Sequence, residues 1–271
     1  MKDNSHFRRY ELKYTVSEAT ASQIRNYIRH ICVRDPHTPS GQSGYIVNNL
    51  YFDTPGRQFY TDTKFRKMTR YKPRARFYGN QAGEFIWPEI KYRHASIIWK
   101  QRKAVRIEEW PRLFSIYPSE SLRPRINSGI DSFEDMLYWH NASSVVHVRY
   151  FREAYVSTLE EYGRITFDRR LCYRPLNGST DLQYREEEMM YYDDPVTTVS
   201  NDSSIILEIK VGTWIPYWVI HMIQHFRLKQ RPFSKYCYSI DHMLGNAISE
   251  RSFRRHHFRQ SGLSRQNPQT L

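Results

Sequence analysis

The sequence has little of what marks several common protein classes. Its three cysteines, Cys32, Cys172 and Cys237, are scattered through 271 residues, odd in number and without a Cys-x-x-Cys pair. This pattern argues against a disulfide framework and favours reduced thiols in the core of a cytoplasmic protein. The most apolar window, 214–226, is too short and interrupted to span a bilayer. The first residues lack an apolar segment, so we expect neither a signal peptide nor a transmembrane segment.

Acidic residues are scarce relative to basic ones. The chain carries 41 Lys and Arg against 28 Asp and Glu, a formal net charge of +13. Such an excess indicates an anionic partner, which leaves nucleic acid, an anionic membrane or a phosphorylated small molecule open. The sequence has no P-loop, no Gly-x-Ser-x-Gly motif and no histidines at metal-ligand spacing, which argues against the enzyme classes that use them.

Aromatic residues, by contrast, are abundant. They make up 15% of the chain, with 21 tyrosines, whereas glycine is limited to 11 positions. Tyrosine, phenylalanine and β-branched residues favour strands, so we expect a mainly β protein. The length suits one large domain, which we place at 1–250, followed by a basic and disordered tail at 251–271.

Hydrophobic periodicity predicts strands separated by a few helices. The predicted strands are 7–14, 45–52, 72–79, 85–93, 97–108, 144–157, 164–169 and 204–212. Helices are predicted from Ser17 to about Cys32, after Pro216 and after Ser234. Residues 112–142 are interpreted as an irregular helical insertion, with Asp131 and Glu134 forming a capping box. Residues 175–203 are interpreted as a solvated loop.

A recurring pattern in these strands is the most informative feature. One face is apolar and the other is charged, with the charged positions Glu11 and Lys13, Arg74 and Arg76, Glu89 and Lys91, Lys100 and Arg102, Arg164, and Glu208 and Lys210. In any single strand this pattern is typical of an antiparallel sheet with one solvated face. Taken together, however, the charged faces are mostly basic, whereas a solvated face normally mixes neutral polar residues with both signs.

The strand at 204–212 strengthens the case for a charged interior. Glu208 and Lys210 lie within a segment that is otherwise apolar, which indicates burial on both sides. Buried charges must be paired or must meet a ligand or metal. A barrel covered by helices outside and lined by charged residues inside satisfies both conditions and suits a long polyanion.

An ordered set of short motifs carries a resemblance to a known family. The motifs are YELKY (10–14), NNLYFDTP (48–55), KPRARFYG (72–79), PEIKYR (88–93), KQRKA (100–104), YFREAY (150–155), RITFDR (164–169), LEIK (207–210) and FSKYC (233–237). From about residue 7 to 245 the chain resembles the VTC domain, the polyphosphate polymerase domain of the vacuolar transporter chaperone family. That family belongs to the triphosphate tunnel metalloenzymes.

The resemblance implies an antiparallel eight-stranded β-barrel tunnel with helices packed outside. It also implies an enzyme that transfers the γ-phosphate of ATP to a growing polyphosphate chain, with Mn²⁺ or Mg²⁺ as cofactor. ATP and inorganic polyphosphate are then the expected partners, without sequence-specific nucleic acid. This chemistry agrees with a basic interior, because phosphoryl transfer depends mainly on cations that position phosphates and absorb developing charge.

Site residues follow from the same resemblance, position by position. The phosphate-binding bases expected at the reaction centre are Lys13, Arg74, Arg76, Lys91, Arg152, Arg164 and Lys210. Further substrate contacts are expected from Lys100, Arg102, Ser234 and Lys235, the last two at a helix start. Glu208 is expected to bind the metal, assisted by Glu11 and Glu89.

Some of these assignments have alternatives. For Glu11 and Glu89, ion pairing with neighbouring bases is equally consistent with the sequence, and without the resemblance Lys235 would be interpreted as a solvated lysine. Arg149 and Arg152 cannot face the same side of a regular strand, and we choose Arg152. The Asp-Thr-Pro-Gly turn at 53–56 is interpreted as structural rather than catalytic.

Two other functions fit the same residues. One is a hydrolase of inorganic triphosphate or of a nucleoside triphosphate, in which water rather than phosphate attacks. The other is a non-catalytic protein that binds polyanions or nucleic acid. The bases alternate within strands rather than along one helix, which argues against nucleic acid, although the basic tail keeps it open.

Overall fold

The computed structural model describes residues 10–95, 97–115, 132–192, 205–230 and 233–245. Its strands are β1 Tyr10–Val16, β2 Cys32–Arg34, β3 Tyr45–Asp53, β4 Thr69–Tyr78, β5 Phe85–His94, β6 Ile97–Arg102, β7 Val105–Arg106, β8 Ser143–Ser157, β9 Gly163–Pro175, β10 Met190–Tyr191 and β11 Ile205–Val211. Its helices are α1 Glu18–Ile28, α2 Gln58–Lys64, α3 Arg112–Ser115, α4 Phe133–Trp139, α5 Tyr217–His225 and α6, 235–245. Asp131 and the tail at 251–271 lie outside the described residues.

The strands form one antiparallel sheet that curls into a tunnel. Eight strands follow one another in the order β1-β11-β9-β8-β3-β4-β5-β6. Three short strands lie off this path, with β2 paired to β8, β7 to β5 and β10 to β9. In a flat sheet, β1 and β5 would lie ~28 Å apart. Instead, Glu11 on β1 and Lys91 on β5 form an ion pair with 3.2 Å between Oε2 and Nζ. Among the described residues β1 and β6 form no ladder, so the expected eight-stranded tunnel is confirmed without a closed ring of hydrogen bonds.

Two helices cover the outer side of β1, β11 and β9. In α1 the buried residues Ala21, Ile24 and Ile28 follow helical spacing, and the Ser17 side chain caps the helix by accepting from the Thr20 amide. They pack with Met222 of α5 against the outward apolar positions of the strands. The predicted cap and apolar stripe are confirmed, but α1 ends at Ile28 and does not reach Cys32.

A second apolar cluster covers the outer side of β3, β4 and β5. Phe52 and Phe77 from the sheet pack with Phe59 of α2 and Met136 of α4. Ser132 caps α4, since its side chain accepts from the Asp135 amide. The predicted cap is therefore wrong by one residue, because the serine hydroxyl lies where it reaches the free amide of the first turn.

The last helix departs from the expectation that helices pack outside. Tyr236 of α6 stacks on Tyr51 of β3 with 4.9 Å between ring centroids. Tyr51 projects to the inner side of the sheet, since its neighbours Leu50 and Phe52 belong to the outer cluster. With Cys237 and Ile240, Tyr236 fills part of the interior with apolar side chains. The remainder of the interior carries the charged residues.

A bulge in β9 keeps polar and apolar residues on the same inner side. Arg149 pairs with Cys172 and Phe151 with Arg169, so the one residue between them on β8, Tyr150, faces two residues of β9, Arg170 and Leu171. Arg170 takes up the extra residue in a left-handed conformation, with φ of 51°. A residue in this position shifts the alternation by one.

Two predicted elements differ from those observed. The predicted strand 97–108 is split into β6, β7 and a 3₁₀ turn at Ile107–Glu109, because the chain turns at residues 103 and 104. The predicted solvated loop at 175–203 contains a 3₁₀ turn at Glu186–Glu188 and strand β10, and Tyr192 is only 4% exposed. Its hydroxyl donates to the Lys235 carbonyl at 3.2 Å, so tertiary packing orders part of this polar segment.

The cysteines are reduced and lie in the core, as the sequence predicts. Cys32, Cys172 and Cys237 are all free and buried. None of the helices in the described part of the chain has the length and apolar character needed to cross a lipid bilayer.

Asp53 ties the end of β3 to two helices. It is fully buried, and its carboxylate accepts from the amides of Phe59 and Tyr60 at 2.8 Å each and from the Tyr236 hydroxyl. These contacts give the Asp-Thr-Pro-Gly turn a structural role.

We predict that Asp53→Asn lowers the free energy of unfolding by about 3 kcal/mol, because an amide nitrogen replaces an acceptor for buried donors. Urea denaturation measures this loss. Asp62→Asn is the control, since Asp62 pairs with the exposed Lys67 and should lose less than about 1 kcal/mol. Equal losses in both variants would contradict the assigned role.

Candidate functional site

The inner face of the sheet brings the predicted site residues together. Its bases include Lys13, Lys72, Arg74, Arg76, Lys91, Lys100, Arg102, Arg152, Arg164 and Lys210, with Lys235 at the start of α6, and its acids include Glu11, Glu89, Asp168 and Glu208. Each strand contributes alternate residues, so the side chains converge while their neighbours pack outward. Bases clearly outnumber acids on this face.

A chain of ion pairs crosses three strands. Lys210 lies 2.7 Å from Glu208. Lys13 lies 3.6 Å from Glu208 and 2.8 Å from Glu11. Glu11 in turn lies 3.2 Å from Lys91. The carboxylates of Glu11 and Glu208 therefore converge on one ammonium group.

Both of these carboxylates stay ionised. Burial is the largest influence and by itself raises the pKa of Glu208, but Lys13 and Lys210 hold that pKa well below its ordinary value. For Glu11, burial and the charge of Glu208 act in the same raising direction, and Lys13 with Lys91 nevertheless lowers the pKa to about 2.

Glu89 forms a second centre on β5. Its carboxylate contacts Arg74 and Lys100 closely and lies 3.7 Å from Arg76. Burial opposes ionisation of Glu89, but these three bases hold its pKa far below the ordinary value. Arg76 also donates through Nε to Asn49 at 3.0 Å, which fixes its side chain toward the interior.

Asp168 forms a third centre, which the sequence analysis missed. It accepts two hydrogen bonds from Arg152, at 2.6 and 2.7 Å, and lies 2.6 Å from Lys235 of α6. Lys235 also lies 4.6 Å from the ring centroid of Tyr150. In the RITFDR motif, Asp168 follows Arg164 by four residues and therefore lies on the same, inner face of the strand. The sequence thus contained the signal that places Asp168 in the interior.

Arg149 points outward, on the side of the strand opposite to Arg152. It donates to Asn80 at 2.7 Å and stacks on Tyr184 with 3.8 Å to the ring centroid. Arg152 lies on the inner face, where it pairs with Asp168, and Arg149 does not.

Lys72 is an inner base that the sequence analysis also missed. It lies two residues before Arg74 on the same face, and its Nζ is 3.1 Å from the Ser234 hydroxyl. Within the described residues it forms no ion pair with a carboxylate. Burial lowers its pKa to about 7, and the positive charges of Lys91, Lys13 and Arg74 act in the same direction.

Other inner lysines share this unfavourable environment. Burial lowers the pKa of Lys100 to about 8, helped by Arg74 and Arg76 and opposed by Glu89. Burial and Lys13 likewise lower the pKa of Lys91, although Glu11 opposes them. A bound polyanion would relieve the repulsion that disfavours these charged lysines.

Arg164 and Arg102 lie toward the edges of the inner face. Arg164 pairs with Asp35 at 2.9 Å and donates to the Tyr45 hydroxyl at 3.1 Å. Arg102 is exposed and lies over Trp87, 5.0 Å from the ring centroid.

The acidic residues partly suit a divalent cation. Across the described ranges, no group of three His, Cys, Asp or Glu residues is placed to hold one. Glu11 and Glu208 offer two converging carboxylates, whereas Glu89 is engaged by its own bases. Hard cations such as Mg²⁺ take oxygen ligands and commonly complete their shell with phosphate oxygens and water. The Glu11 and Glu208 pair fits that kind of shared site.

Comparison with known proteins gives one family match. The family model for the VTC domain matches residues 8–244. No curated protein is significantly similar in sequence.

Three solved structures are distantly similar to this chain. A protein of Bacillus halodurans, provisionally named an adenylate cyclase, is 13% identical, with 84% of this chain and 95% of that one covered and a TM-score of 0.45. Another of that provisional name, from Vibrio parahaemolyticus, is 14% identical, with 86% and 98% covered and a TM-score of 0.44. A protein of Pyrococcus horikoshii is 12% identical, with 86% and 98% covered and a TM-score of 0.43.

The environment of Lys72 predicts a pH dependence of stability. The pKa of Lys72 is about 7 in the folded protein, below its ordinary value of 10.5. The charged form of Lys72 therefore destabilises the fold, and the free energy of unfolding rises as the pH increases from about 7 toward 10.5. Between about pH 6.5 and about pH 9, the free energy of unfolding of Lys72→Met should rise less than that of the wild type, by about 1–2 kcal/mol after allowance for solvent screening.

Urea denaturation at both pH values measures this difference. Lys67→Met is the control, because Lys67 is exposed and paired with Asp62. Parallel pH profiles for wild type and Lys72→Met would show that folding does not lower the pKa of Lys72.

Proposed function

This chain belongs to the VTC domain family, and we propose that it is a metal-dependent polyphosphate polymerase that uses ATP. In this reaction the γ-phosphate of ATP is transferred to the end of an inorganic polyphosphate chain. The observation that carries the proposal is the excess of bases over acids on the inner face of the tunnel, where Lys72 has a pKa of about 7. A polyanion is the ligand whose charge complements such a cavity.

The arginines of β4 and β8 are assigned to hold the phosphates of the reaction centre. Arg74 and Arg76 present planar guanidinium groups from one strand, and Arg152 is oriented by two hydrogen bonds to Asp168. Guanidinium groups make paired hydrogen bonds to phosphate and keep their charge at all relevant pH values. Fixed cations at this point stabilise charge that develops during transfer, without costly reorganisation.

The lysines complete the phosphate-binding surface. Lys13, Lys91 and Lys210 form the chain of ion pairs with Glu11 and Glu208, and each can shift from carboxylate to phosphate as ligand enters. Lys72, Lys100 and Lys235, with the Ser234 hydroxyl and Arg102 and Arg164, are assigned to substrate along the tunnel.

Glu208 and Glu11 are the residues assigned to a Mn²⁺ or Mg²⁺ ion. A bound divalent ion would neutralise phosphate charge and align the reacting oxygens. Glu89, also expected to assist the metal, is assigned instead to orient Arg74, Arg76 and Lys100, which it contacts directly. The free, buried cysteines accord with a reducing compartment, and we propose the cytoplasm.

The test is incubation with ATP and Mn²⁺, followed by separation of ADP, inorganic phosphate and long polyphosphate. We expect ADP and polyphosphate to accumulate together. Inorganic phosphate without polyphosphate would replace the proposal with a hydrolase. Absence of turnover in a protein that binds tripolyphosphate would indicate a non-catalytic binding protein.

Within this assay, Glu208→Gln distinguishes a metal ligand from a structural ion-pair partner. We expect Mn²⁺-dependent turnover to fall on the order of a hundredfold, because a main electrostatic stabiliser is lost. Binding of tripolyphosphate without metal should persist or tighten, since a repelling charge is removed.

The control is Glu153→Gln. Glu153 is also a buried, ion-paired glutamate, but it faces outward, toward Arg25 and Arg169. That variant should lose stability by about 3 kcal/mol and keep its turnover per folded molecule. If Glu208→Gln behaves in the same way, Glu208 is only a structural partner.

A further inference from the structure

Three aromatic side chains line one edge of the inner face. Tyr45 is the first residue of β3, Tyr78 is the last of β4, and Trp87 lies near the start of β5. Tyr45 meets Tyr78 edge-on with 5.8 Å between centroids, and Tyr78 meets Trp87 edge-on at 5.2 Å. We call Tyr45, Tyr78 and Trp87 the aromatic rim.

The rim shares the inner face with the phosphate-binding bases. Tyr78 follows Arg76 by two residues on β4, and Trp87 precedes Glu89 by two residues on β5. Because alternate residues of a strand face the same side, both rings border the basic cavity. Tyr45 is joined to it by its hydrogen bond from Arg164.

These rings are less enclosed than the aromatic residues farther along the tunnel. Tyr51 is covered by Tyr236 of α6 and is only 5% exposed. Tyr45, Tyr78 and Trp87 are each half-buried. In the described part of the chain, Trp87 belongs to none of the three apolar clusters. Packing in an apolar core therefore does not account for a tryptophan at this position.

We propose that the aromatic rim is a stacking subsite for the nucleobase of a bound nucleoside triphosphate. The inference rests on the proposed function and deepens it, because it states which end of the nucleotide lies at the aromatic rim and which end lies among the bases. With the base on Trp87 and Tyr78, the triphosphate runs along Arg76 toward Arg74. Four residues of strand separate Tyr78 from Arg74, about 13 Å, which matches the reach of a ribose and an extended triphosphate.

Arg102 adds a cationic plane to the same subsite. Its exposed guanidinium lies over Trp87, 5.0 Å from the ring centroid. Bases stack on aromatic rings and on guanidinium planes alike, with little dependence on base identity. The subsite therefore distinguishes a nucleotide from an inorganic polyphosphate, rather than one nucleobase from another.

The experiment compares the binding of ATP and of inorganic tripolyphosphate by calorimetry in EDTA, where no turnover occurs. The variant Trp87→Leu removes the stacking surface and keeps an apolar side chain. The matched control is Trp99→Leu, since Trp99 is an exposed tryptophan on the outward side of β6, in tilted contact with Tyr92. Trp87→Phe tests whether a smaller aromatic ring restores binding.

We expect Trp87→Leu to weaken ATP binding about tenfold and to change tripolyphosphate binding less than twofold. Trp99→Leu should change neither, and Trp87→Phe should recover most of the ATP affinity. Unchanged ATP binding in Trp87→Leu, an equal loss for both ligands, or no ATP binding by the wild type would overturn the subsite. If wild type binds neither ligand, the proposed function itself fails, and tripolyphosphate binding in each variant confirms that it is folded.

Discussion

Inside this curved sheet, a few buried carboxylates are shared among many more bases. Glu89 is contacted by Arg74, Arg76 and Lys100, and Asp168 by Arg152 and Lys235. These contacts keep the carboxylates ionised despite burial. They do not balance the charge, and the positive charges of Lys91, Lys13 and Arg74 add to burial in lowering the pKa of Lys72. An unbalanced set of like charges is costly, and a bound anion would offset that cost, so the imbalance favours an anionic partner.

The rest of the architecture supports that interior. Outward apolar residues pack under α1 and α5 on one side and under α2 and α4 on the other, which allows the inner positions of the same strands to be charged. The last helix closes part of the interior with apolar contacts and delivers Lys235 to Asp168. The tunnel is thus apolar where α6 lies and basic beyond it, with the aromatic rim at one edge.

Strand alternation explains how much of this was predictable. A period of two places Arg74 and Arg76 on one side whatever the tertiary structure, and the apolar surroundings of Glu208 indicate that this side is buried. Lys72 and Asp168 follow the same rule, so the alternation that placed Arg74 and Arg164 inside also places them there. The inward position of α6, the bulge at Arg170 and the covering of Tyr192 depend on tertiary contacts between distant segments, which local periodicity does not encode.

Thermal denaturation with and without inorganic tripolyphosphate tests the central claim most directly, namely that the inner face is built to hold a polyanion. Ligand at about 100 times its Kd stabilises a folded protein by about 2.7 kcal/mol, or roughly 5–10 °C in Tm for a domain of this size. We expect that increase with tripolyphosphate and little change with sodium chloride at the same ionic strength. No shift at millimolar tripolyphosphate, or an equal shift with the salt, would contradict the account.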